Sequence, residues 1–490
     1  AAGEQEARRA LGSQSYRTQR PLVVSERPAG GKPPRTKRQQ ERKGPRFAPE
    51  PSVPGLAARM AAARLLAAVI DAKTPLDGLT DVEHGHPQFR ALEGRDRALV
   101  RAILTSALRF RVTIGRLLDR QLERPLPANA TTLTHILHVA AAQILFLDIP
   151  DSAAVDLAVT HAKSDPRTQR FAGLVNGVLR SVARAKERSL AKTLDETVDA
   201  PDWFRSRLAD AYGETKVRAI FAAHRHEAPV DFSVKADADG WADRLGGFVL
   251  PTGSVRVSRL SAPVPDLPGF ADGDWWVQDA AAALPARLLG EIGGKRVADL
   301  CAAPGGKTAQ LVLAGAHVTA VDLSKSRLDR LRSNLDRLNL AADIVQADVS
   351  TYAPSAPFDA ILLDAPCSST GTARRHPDVP WTKSPQDVEK LADLQARLLA
   401  RAFDLLKPGG RLVFSNCSLD PLEGEQLVRR HLAEHAVARL DPITPDELPG
   451  IAGFVTPEGL LRTTPADLVL AEPGISGLDG FFAARLIKAV

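Results

Sequence analysis

The sequence is poor in cysteine and has no long apolar run. Only three cysteines, Cys301, Cys367 and Cys417, occur among 490 residues, and none has the CxxC or Cys/His spacing of a zinc site. No uncharged apolar stretch of about 18 residues is present, and the amino-terminal segment lacks the apolar centre of a signal peptide. These absences argue against a disulfide framework, a metal site and a membrane span. We expect a soluble, cytoplasmic protein in a reducing compartment, with a monomer as the default oligomeric state.

The positive charge is concentrated in the first part of the chain. The net charge is +6, but 12 of the 64 Lys and Arg residues lie in the first 50 positions, against 5 of the 58 Asp and Glu residues. Residues 1–54 are rich in Pro, Gly, Gln and Arg, and we predict that they form a disordered basic tail. A solvated leader and an arm that binds RNA without sequence preference both stay open as its role. Acidic residues and the lack of an amphipathic stripe argue against organelle import.

Residues 55–188 have the periodicity of helices almost throughout. Apolar residues recur at three- and four-residue spacing over the segments 56–71, 96–109, 131–147 and 153–161. Asp151 or Ser152 is predicted to cap the helix that follows Pro150. His135 and His138 have no third ligand at helical spacing, so they predict no metal site. We therefore predict an all-α domain over residues 55–188.

The rest of the chain divides into two further domains. Residues 189–274 contain short runs separated by prolines, which predicts a small mixed α/β linker domain. Residues 275–490 alternate between short apolar strands and helix-length segments. The predicted strands are 296–301, 317–323, 343–347, 359–363 and 411–415. Such alternation predicts an α/β fold with a doubly wound, Rossmann-like and mostly parallel sheet.

A glycine-containing loop follows the first of these strands. The string DLCAAPGGKT at 299–308 lies where a strand ends and a helix begins, so its glycines allow a ligand to approach the backbone closely. A phosphate-binding P-loop would need a glycine at the position of Cys301. We predict instead a nucleotide-cofactor loop made of Cys301, Ala302, Ala303, Pro304, Gly305, Gly306 and Lys307.

Two aspartates end the next two strands. A carboxylate at Asp322 is suited to accept hydrogen bonds from the hydroxyls of a ribose. Asp348 is placed to meet the adenine edge of the same ligand. Either residue alone is equally typical of a helix cap, but together they favour a cofactor that contains adenosine. The fold pattern does not by itself separate a nicotinamide enzyme from a methyltransferase.

Five strings resemble one family of enzymes. DLCAAPGGKT, LLDAPCSSTG, RRHPDVPW, KPGGRLVFSNCS and GLDGFFAARL are similar to motifs of the bacterial Sun/RsmB-type ribosomal RNA cytosine-5 methyltransferases. FAGLVNGVLR in the helical region resembles the NusB-like RNA-binding domain of those proteins. The resemblance covers residues 56–490 and leaves out only the basic tail.

The resemblance implies a chemistry and a set of site residues. It implies methylation of carbon 5 of a cytosine in small-subunit ribosomal RNA, with S-adenosylmethionine as cofactor. Cys417 is then the nucleophile that adds to carbon 6 of the base, and Cys367 assists release of the methylated RNA. Asp364 contacts the flipped-out cytosine, and Lys307 lies near the cofactor or the base. The cofactor is expected to contact the loop 301–307, Asp322, Asp348 and Asp364.

Two features near the cysteines modify this expectation. Asn416 stands where the family commonly has Thr, and we expect it to line the approach to the Cys417 thiol. Arg374, Arg375 and His376 follow the Cys367 motif. They are suited to contact RNA phosphates or to cap the turn before a proline, and we favour the RNA contact.

Three alternatives stay open at this point. The substrate can be transfer RNA or large-subunit ribosomal RNA. It can also be DNA, in which case Cys367 of the Pro-Cys motif would be the indispensable thiol. The chain can also be a non-catalytic RNA-binding assembly factor that has kept the fold. Intact cysteines, both aspartates and the glycine loop argue against the last alternative.

Overall fold

The computed structural model describes residues 53–490, which form one compact unit. The predicted basic tail, apart from its last two residues, lies outside the described residues. In residues 53–490 no helix is long and apolar enough to cross a membrane. Over the same range no group of three or more His, Cys, Asp or Glu side chains is arranged to hold a metal ion.

The amino-terminal part of the described chain is a bundle of helices, as predicted. Its helices are α1 Leu56–Ile70, α2 Leu76–Leu79, α3 Pro87–Arg90, α4 Gly94–Arg109, α5 Arg111–Asp119, α6 Thr131–Phe146, α7 Asp151–Ser164 and α8 Ala172–Asp195. Apolar side chains on the facing sides of these helices, including Leu66, Ile103 and Leu137, are fully buried. The four predicted helical segments correspond to α1, α4, α6 and α7, because the three- and four-residue spacing of apolar residues specifies the buried side of a helix.

The predicted side-chain cap of α7 is wrong. Pro150 occupies the cap position, and no side chain accepts a hydrogen bond there. Asp151 is the first residue of the helix, and its carboxylate instead accepts a hydrogen bond of 2.9 Å from Nζ of Lys186 on α8. A negative charge in the first turn still interacts favourably with the helix dipole.

A small antiparallel sheet follows the bundle. α8 runs through the predicted boundary at residue 188, and α9 Asp202–His224 follows it, bent at Gly213. The sheet has the order β2-β3-β1-β4. Its strands are β1 Val230–Val234, β2 Phe248–Val249, β3 Val255–Val257 and β4 Trp275–Val277, with α10 Ala238–Leu245 inserted after β1. This agrees with the predicted mixed α/β composition, and the last strand ends three residues beyond the predicted boundary at 274.

The remaining chain forms the doubly wound domain around an eight-stranded sheet. Its path is β10-β12-β9-β8-β5-β6-β7, with β11 paired to β12. The strands are β5 Arg296–Leu300, β6 His317–Asp322, β7 Asp343–Gln346, β8 Phe358–Asp364, β9 Leu406–Asn416, β10 Ala438–Leu440, β11 Leu461–Thr463 and β12 Phe481–Lys488. The helices are α11 Leu284–Arg287, α12 Gly306–Leu313, α13 Lys325–Arg337, α14 Val379–Thr382, α15 Pro385–Asp404 and α16 Glu425–Glu434.

The five predicted strands are the parallel part of this sheet. β9, β8, β5, β6 and β7 pair side by side in parallel, whereas β10, β11 and β12 are antiparallel. β6 and β7 follow β5 on one side, whereas β8 and β9 lie on its other side, so the strand order reverses between β5 and β8. The carboxyl ends of β5, β8 and β9 therefore lie together at a switch point, which is where open α/β sheets bind ligands. The Rossmann-like fold expected from the sequence is confirmed.

The segment that follows Cys367 packs against the helical bundle. Oδ2 of Asp378 accepts a hydrogen bond of 2.9 Å from the backbone N–H of Leu76. Nζ of Lys73 donates to the carbonyl of Trp381 at 2.8 Å, and the Trp381 indole donates to the carbonyl of Leu108 at 3.1 Å. Residues 374–383 therefore connect the doubly wound domain to the bundle.

The predicted contact of Arg374 and Arg375 with RNA phosphates is wrong. Arg374 is 1% exposed, and its guanidinium donates to the carbonyl of Ser476 at 2.7 Å. Arg375 donates to Asp279 at 2.6 Å and to Asp479 at 3.2 Å. Both guanidinium groups therefore donate hydrogen bonds to groups of the protein itself. His376 is similarly engaged, because its Nδ1 lies 3.4 Å from Oδ2 of Asp77 on the bundle.

Candidate active site

A cavity of about 350 Å³ opens at the carboxyl ends of β5 and β8. One wall is the loop 302–307 together with Asp299 and Asp364. The opposite wall comes from the small sheet and the segment after it, including Trp276, Gln278 and Asp279. The cavity thus lies between the doubly wound domain and the small sheet, and it contains most of the predicted cofactor loop.

Two glycines shape the wall of this cavity. Gly305 has a φ of 102°, a left-handed conformation that strains other residues, and a Cβ there would lie 3.0 Å from Cγ of Leu331. Gly306 begins α12, and a Cβ there would lie 3.4 Å from Nε1 of Trp276 and 3.5 Å from Nε2 of Gln278. A side chain at Gly306 would therefore narrow the cavity, so the glycine keeps space for a ligand beside the helix start.

The other predicted cofactor residues differ in their distance from this cavity. Asp322 is 3% exposed, and its carboxylate accepts hydrogen bonds from the backbone N–H groups of Ala303 and Ser324 at 3.2 and 3.0 Å. The hydrogen bond to Ala303 therefore holds the backbone of the loop 301–307 in place. Asp348 is exposed and accepts a hydrogen bond of 2.8 Å from the N–H of Ser350. Neither aspartate lines the cavity, and neither does Cys301, whose pKa is raised to about 12 by burial.

Lys307 and Asp364 face each other across the cavity floor. Nζ of Lys307 donates to Oδ2 of Asp364 at 2.8 Å, and the hydroxyl of Ser415 donates to Oδ1 at 2.9 Å. The ammonium group of Lys307 also lies 4.9 Å from the ring centroid of Phe481. Both carboxylate oxygens of Asp364 are held in place, so the carboxylate has a fixed orientation towards any ligand in the cavity.

The two predicted catalytic cysteines lie next to each other. Cys367 comes three residues after β8, and Cys417 comes directly after β9. Because β8 and β9 are paired in parallel, their carboxyl ends bring the Sγ atoms to 3.5 Å, a hydrogen-bond distance for thiols. This hydrogen bond lowers the pKa of Cys417 and raises the pKa of Cys367. These directions favour a Cys417 thiolate that accepts a hydrogen bond from the Cys367 thiol.

Asp299 is a cavity residue to which the sequence prediction gave no role. It is fully buried at the end of β5, and its Oδ2 accepts a hydrogen bond of 2.6 Å from the Thr308 hydroxyl. Its Oδ1 has no partner among the described residues, and burial raises its pKa to about 7. A signal was available, because Asp299 opens the glycine-loop string and is the second-last residue of the strand before the loop.

The role predicted for Asn416 is wrong. The residue is 1% exposed and does not line the approach to the thiol. Its amide donates to the carbonyl of Glu423 at 2.7 Å and accepts from the N–H of Ser418 at 3.0 Å. Asn416 therefore supports the turn that carries Cys417, because Ser418 and Glu423 belong to that turn.

Comparison with known proteins identifies the family. The family model described as 16S rRNA methyltransferase RsmB/F matches residues 287–487, and the NusB family model matches residues 56–184. Ribosomal RNA small subunit methyltransferase B of Serratia proteamaculans is 35% identical over 415 residues, covering 81% of this chain and 92% of that protein. The protein of the same name from Klebsiella pneumoniae is 35% identical over 419 residues, covering 82% and 92%.

The fold is also found among solved structures. The crystal structure of PH0851 superposes with a TM-score of 0.65 at 24% identity, covering 89% of this chain and all of that one. At this identity the similarity concerns the fold alone. The matches to the relatives are stronger and extend over both the helical bundle and the doubly wound domain. The chain belongs to the ribosomal RNA small subunit methyltransferase B family and is an S-adenosylmethionine-dependent RNA methyltransferase.

Proposed function

We propose that this enzyme methylates carbon 5 of a cytosine in small-subunit (16S) ribosomal RNA, with Cys417 as the covalent nucleophile. The observation that carries the proposal is the thiol pair at the ends of β8 and β9, with an Sγ–Sγ distance of 3.5 Å. One hydrogen bond lowers the pKa of Cys417 and raises the pKa of Cys367. Cys417 is thus suited to attack as a thiolate while Cys367 keeps its proton.

We assign the cofactor to the cavity lined by Asp364 and Lys307, whose charges also act on Cys417. S-adenosylmethionine supplies a methyl group bonded to a positively charged sulfur. The space at Gly306 and the unpartnered Oδ1 of Asp299 support binding of such a ligand, because one offers room and the other a hydrogen-bond acceptor. We assign the cofactor to the loop 301–307 and Asp364, of which 302–307 and Asp364 line the cavity. Asp322 at the end of β6 and Asp348 just after β7 do not line it, and we assign them to the ribose and adenine parts of the ligand that extend beyond it.

The proposed chemistry uses the thiolate to activate the base. Carbon 5 of cytosine is a poor nucleophile until a group adds to carbon 6. The Cys417 thiolate forms the S–C6 bond, and the electron pair displaced towards carbon 5 takes the methyl group from the sulfonium sulfur. Loss of the carbon 5 proton to a base then expels the thiolate and restores the C5–C6 double bond. We assign Cys367 to this release step. Once Cys417 is bonded to carbon 6, the hydrogen bond to its thiolate that raised the pKa of Cys367 is gone, so Cys367 can lose its proton and serve as this base.

Asp364 and Lys307 are assigned to holding the base. The carboxylate of Asp364 is oriented by Lys307 and Ser415, so it is suited to accept a hydrogen bond from the exocyclic amino group of a flipped-out cytosine. The ammonium group of Lys307 is suited to stabilise negative charge that develops on the ring during attack. The helical bundle, which matches the NusB family, is assigned to binding the RNA outside the cavity.

The first test is transfer of labelled methyl from S-adenosylmethionine to unmodified total RNA. We expect labelled 5-methylcytosine that maps to small-subunit ribosomal RNA. The same nucleoside in transfer RNA or large-subunit RNA would overturn the substrate assignment alone. A different methylated nucleoside would overturn the proposed chemistry.

The second test separates the two cysteines. Cys417→Ala should abolish methyl transfer while cofactor binding, measured by calorimetry, is kept. Cys367→Ala should slow release, so that RNA stays covalently attached to the protein on a denaturing gel. If Cys417→Ala keeps activity and Cys367→Ala does not, the nucleophile is Cys367, which is the arrangement expected of the enzymes that act on DNA.

A further inference from the structure

A buried carboxylate accepts hydrogen bonds from both of the loops that carry the cysteines. Glu423 is fully buried, and its Oε1 accepts hydrogen bonds from the N–H of Ser368 at 2.9 Å and from Nε2 of Gln395 at 2.8 Å. Its Oε2 accepts hydrogen bonds from the hydroxyls of Ser368 and Ser418. A buried carboxylate is costly unless donors surround it, and here four donors converge on one side chain.

Two residues that donate to Glu423 stand next to the cysteines in the sequence. Ser368 directly follows Cys367, and Ser418 directly follows Cys417. One carboxylate thus holds the residue after each catalytic thiol, although the two loops leave different strands. A further contact, the N–H of Gly371 donating to the carbonyl of Cys417 at 2.9 Å, joins the loops on the other side.

We propose that Glu423 is a positioning residue that fixes the distance between the Cys367 and Cys417 thiols. The inference rests on the proposed function, since it concerns the thiol pair assigned to that chemistry. Glu423 touches neither thiol within hydrogen-bond distance and does not line the cavity. It acts through the two serines, which hold the loops so that the Cys367 thiol can donate to the Cys417 thiolate.

The charges around the thiols agree with this role. The charges of Asp364 and Lys307 act on Cys417 in opposite directions, and the charge of Glu423 acts on Cys367. The negative charge of Glu423 opposes ionisation of Cys367 in particular. Cys367 is thereby kept protonated as the donor. Loss of Glu423 would release the fixed distance between the two thiols. It would also remove the negative charge that favours a protonated Cys367.

The test measures the reactivity of each thiol without RNA or cofactor. The full-length protein is alkylated with iodoacetamide between about pH 6 and 10, and peptide mass spectrometry assigns the modification to Cys417, Cys367 or Cys301. In Glu423→Gln we expect alkylation of Cys417 at neutral pH to fall by up to about tenfold, the change in thiolate fraction that one pKa unit produces. Glu423→Asp, which keeps the charge, should restore part of the loss. Glu434→Gln, the same change at an exposed position on α16, should change nothing.

A double variant tests whether the effect passes through Cys367. In a Cys367→Ala background the hydrogen bond is already absent, so Glu423→Gln should have little further effect on Cys417. An equal effect in both backgrounds, or an unchanged pH profile in Glu423→Gln, would overturn the proposal. If Glu423→Gln does not fold, Ser368→Ala releases the Cys367 loop alone, and unchanged Cys417 reactivity there would also overturn it. Methyl transfer by Cys417→Ala would sink the proposed function without affecting these thiol measurements.

Discussion

Asp364 has both of its oxygens engaged before any ligand is bound. Lys307 and Ser415 hold the carboxylate from two sides, so its direction does not depend on the substrate. A group that is oriented in advance needs no reorganisation when charge develops next to it, and such groups make large contributions to catalysis. The two contacts come from α12 and β9, and Asp364 itself ends β8. Three elements therefore meet at this one side chain.

We expect Asp364→Asn to lower methyl transfer by about 10²–10³-fold, because the charge that accepts the amino group of the base is removed. The change keeps the size of the side chain, so the fold should be retained. Asp359→Asn is the matched control, since Asp359 lies at the other end of β8 and pairs with Lys407 at 2.6 Å. Turnover of the Asp364 variant near that of the control would argue against a role in binding the base.

Asp299 gives a prediction on stability and pH. Its pKa is raised by burial from 3.8 to about 7, so between these values the folded protein holds a proton that the unfolded chain has lost. Stability contributed by this proton is present at low pH and decreases as the pH rises through about 7. Asp299→Asn should therefore unfold at a higher temperature than the wild type at pH 8, and the difference should shrink towards pH 4. A difference that is constant over this range, measured by thermal unfolding, would contradict the raised pKa.

At the level of elements, the segment 374–383 joins the loop that carries Cys367 to the helical bundle. Asp378 is 4% exposed, and its carboxylate accepts the N–H of Leu76 at the start of α2. Trp381 and Lys73 add contacts across the same boundary. The bundle therefore holds the segment that follows the Cys367 loop in place, in addition to its proposed role in binding RNA.

Asp378→Ala should destabilise the protein, because it leaves the N–H of Leu76 buried without a partner. Such a loss costs about 1–3 kcal/mol, and we expect the unfolding temperature to fall by several degrees. Asp393→Ala on the exposed side of α15 serves as the control. An unfolding temperature equal to that of the control would show that the contact contributes little.

The elements differed in how far the sequence could predict them. β5, β6, β7, β8 and β9 were predictable because parallel strands buried on both faces form continuous apolar runs. β10 and β11, with three residues each, are too short to give a pattern. The ion pairs of Arg375 were not predictable, since its partners Asp279 and Asp479 lie 96 and 104 residues away in the chain. The site residues Cys367, Cys417 and Asp364 were named through resemblance, and their contacts required the structure.

For the whole molecule, the basic first part of the chain can be tested separately. Residues 53–490 form a compact unit. A variant that begins at Val53 should therefore unfold at the same temperature as the full chain. It should bind RNA more weakly at low salt, and its affinity should depend less on salt, because 12 Lys and Arg residues are lost. Equal salt dependence of the two proteins would assign the segment to the solvated leader considered above.

The order of the strands also has a consequence for synthesis. β9, which leads to Cys417, lies between β8 and β12, and β12 begins at Phe481, long after β9 in the chain. On a translating ribosome β9 has a free edge until Phe481–Lys488 has left the exit tunnel. A nascent chain that contains both cysteines but not yet β12 therefore cannot complete the sheet whose strands β8 and β9 lead to them. The two thiols therefore reach their final separation only after β12 has been synthesised and has paired with β9.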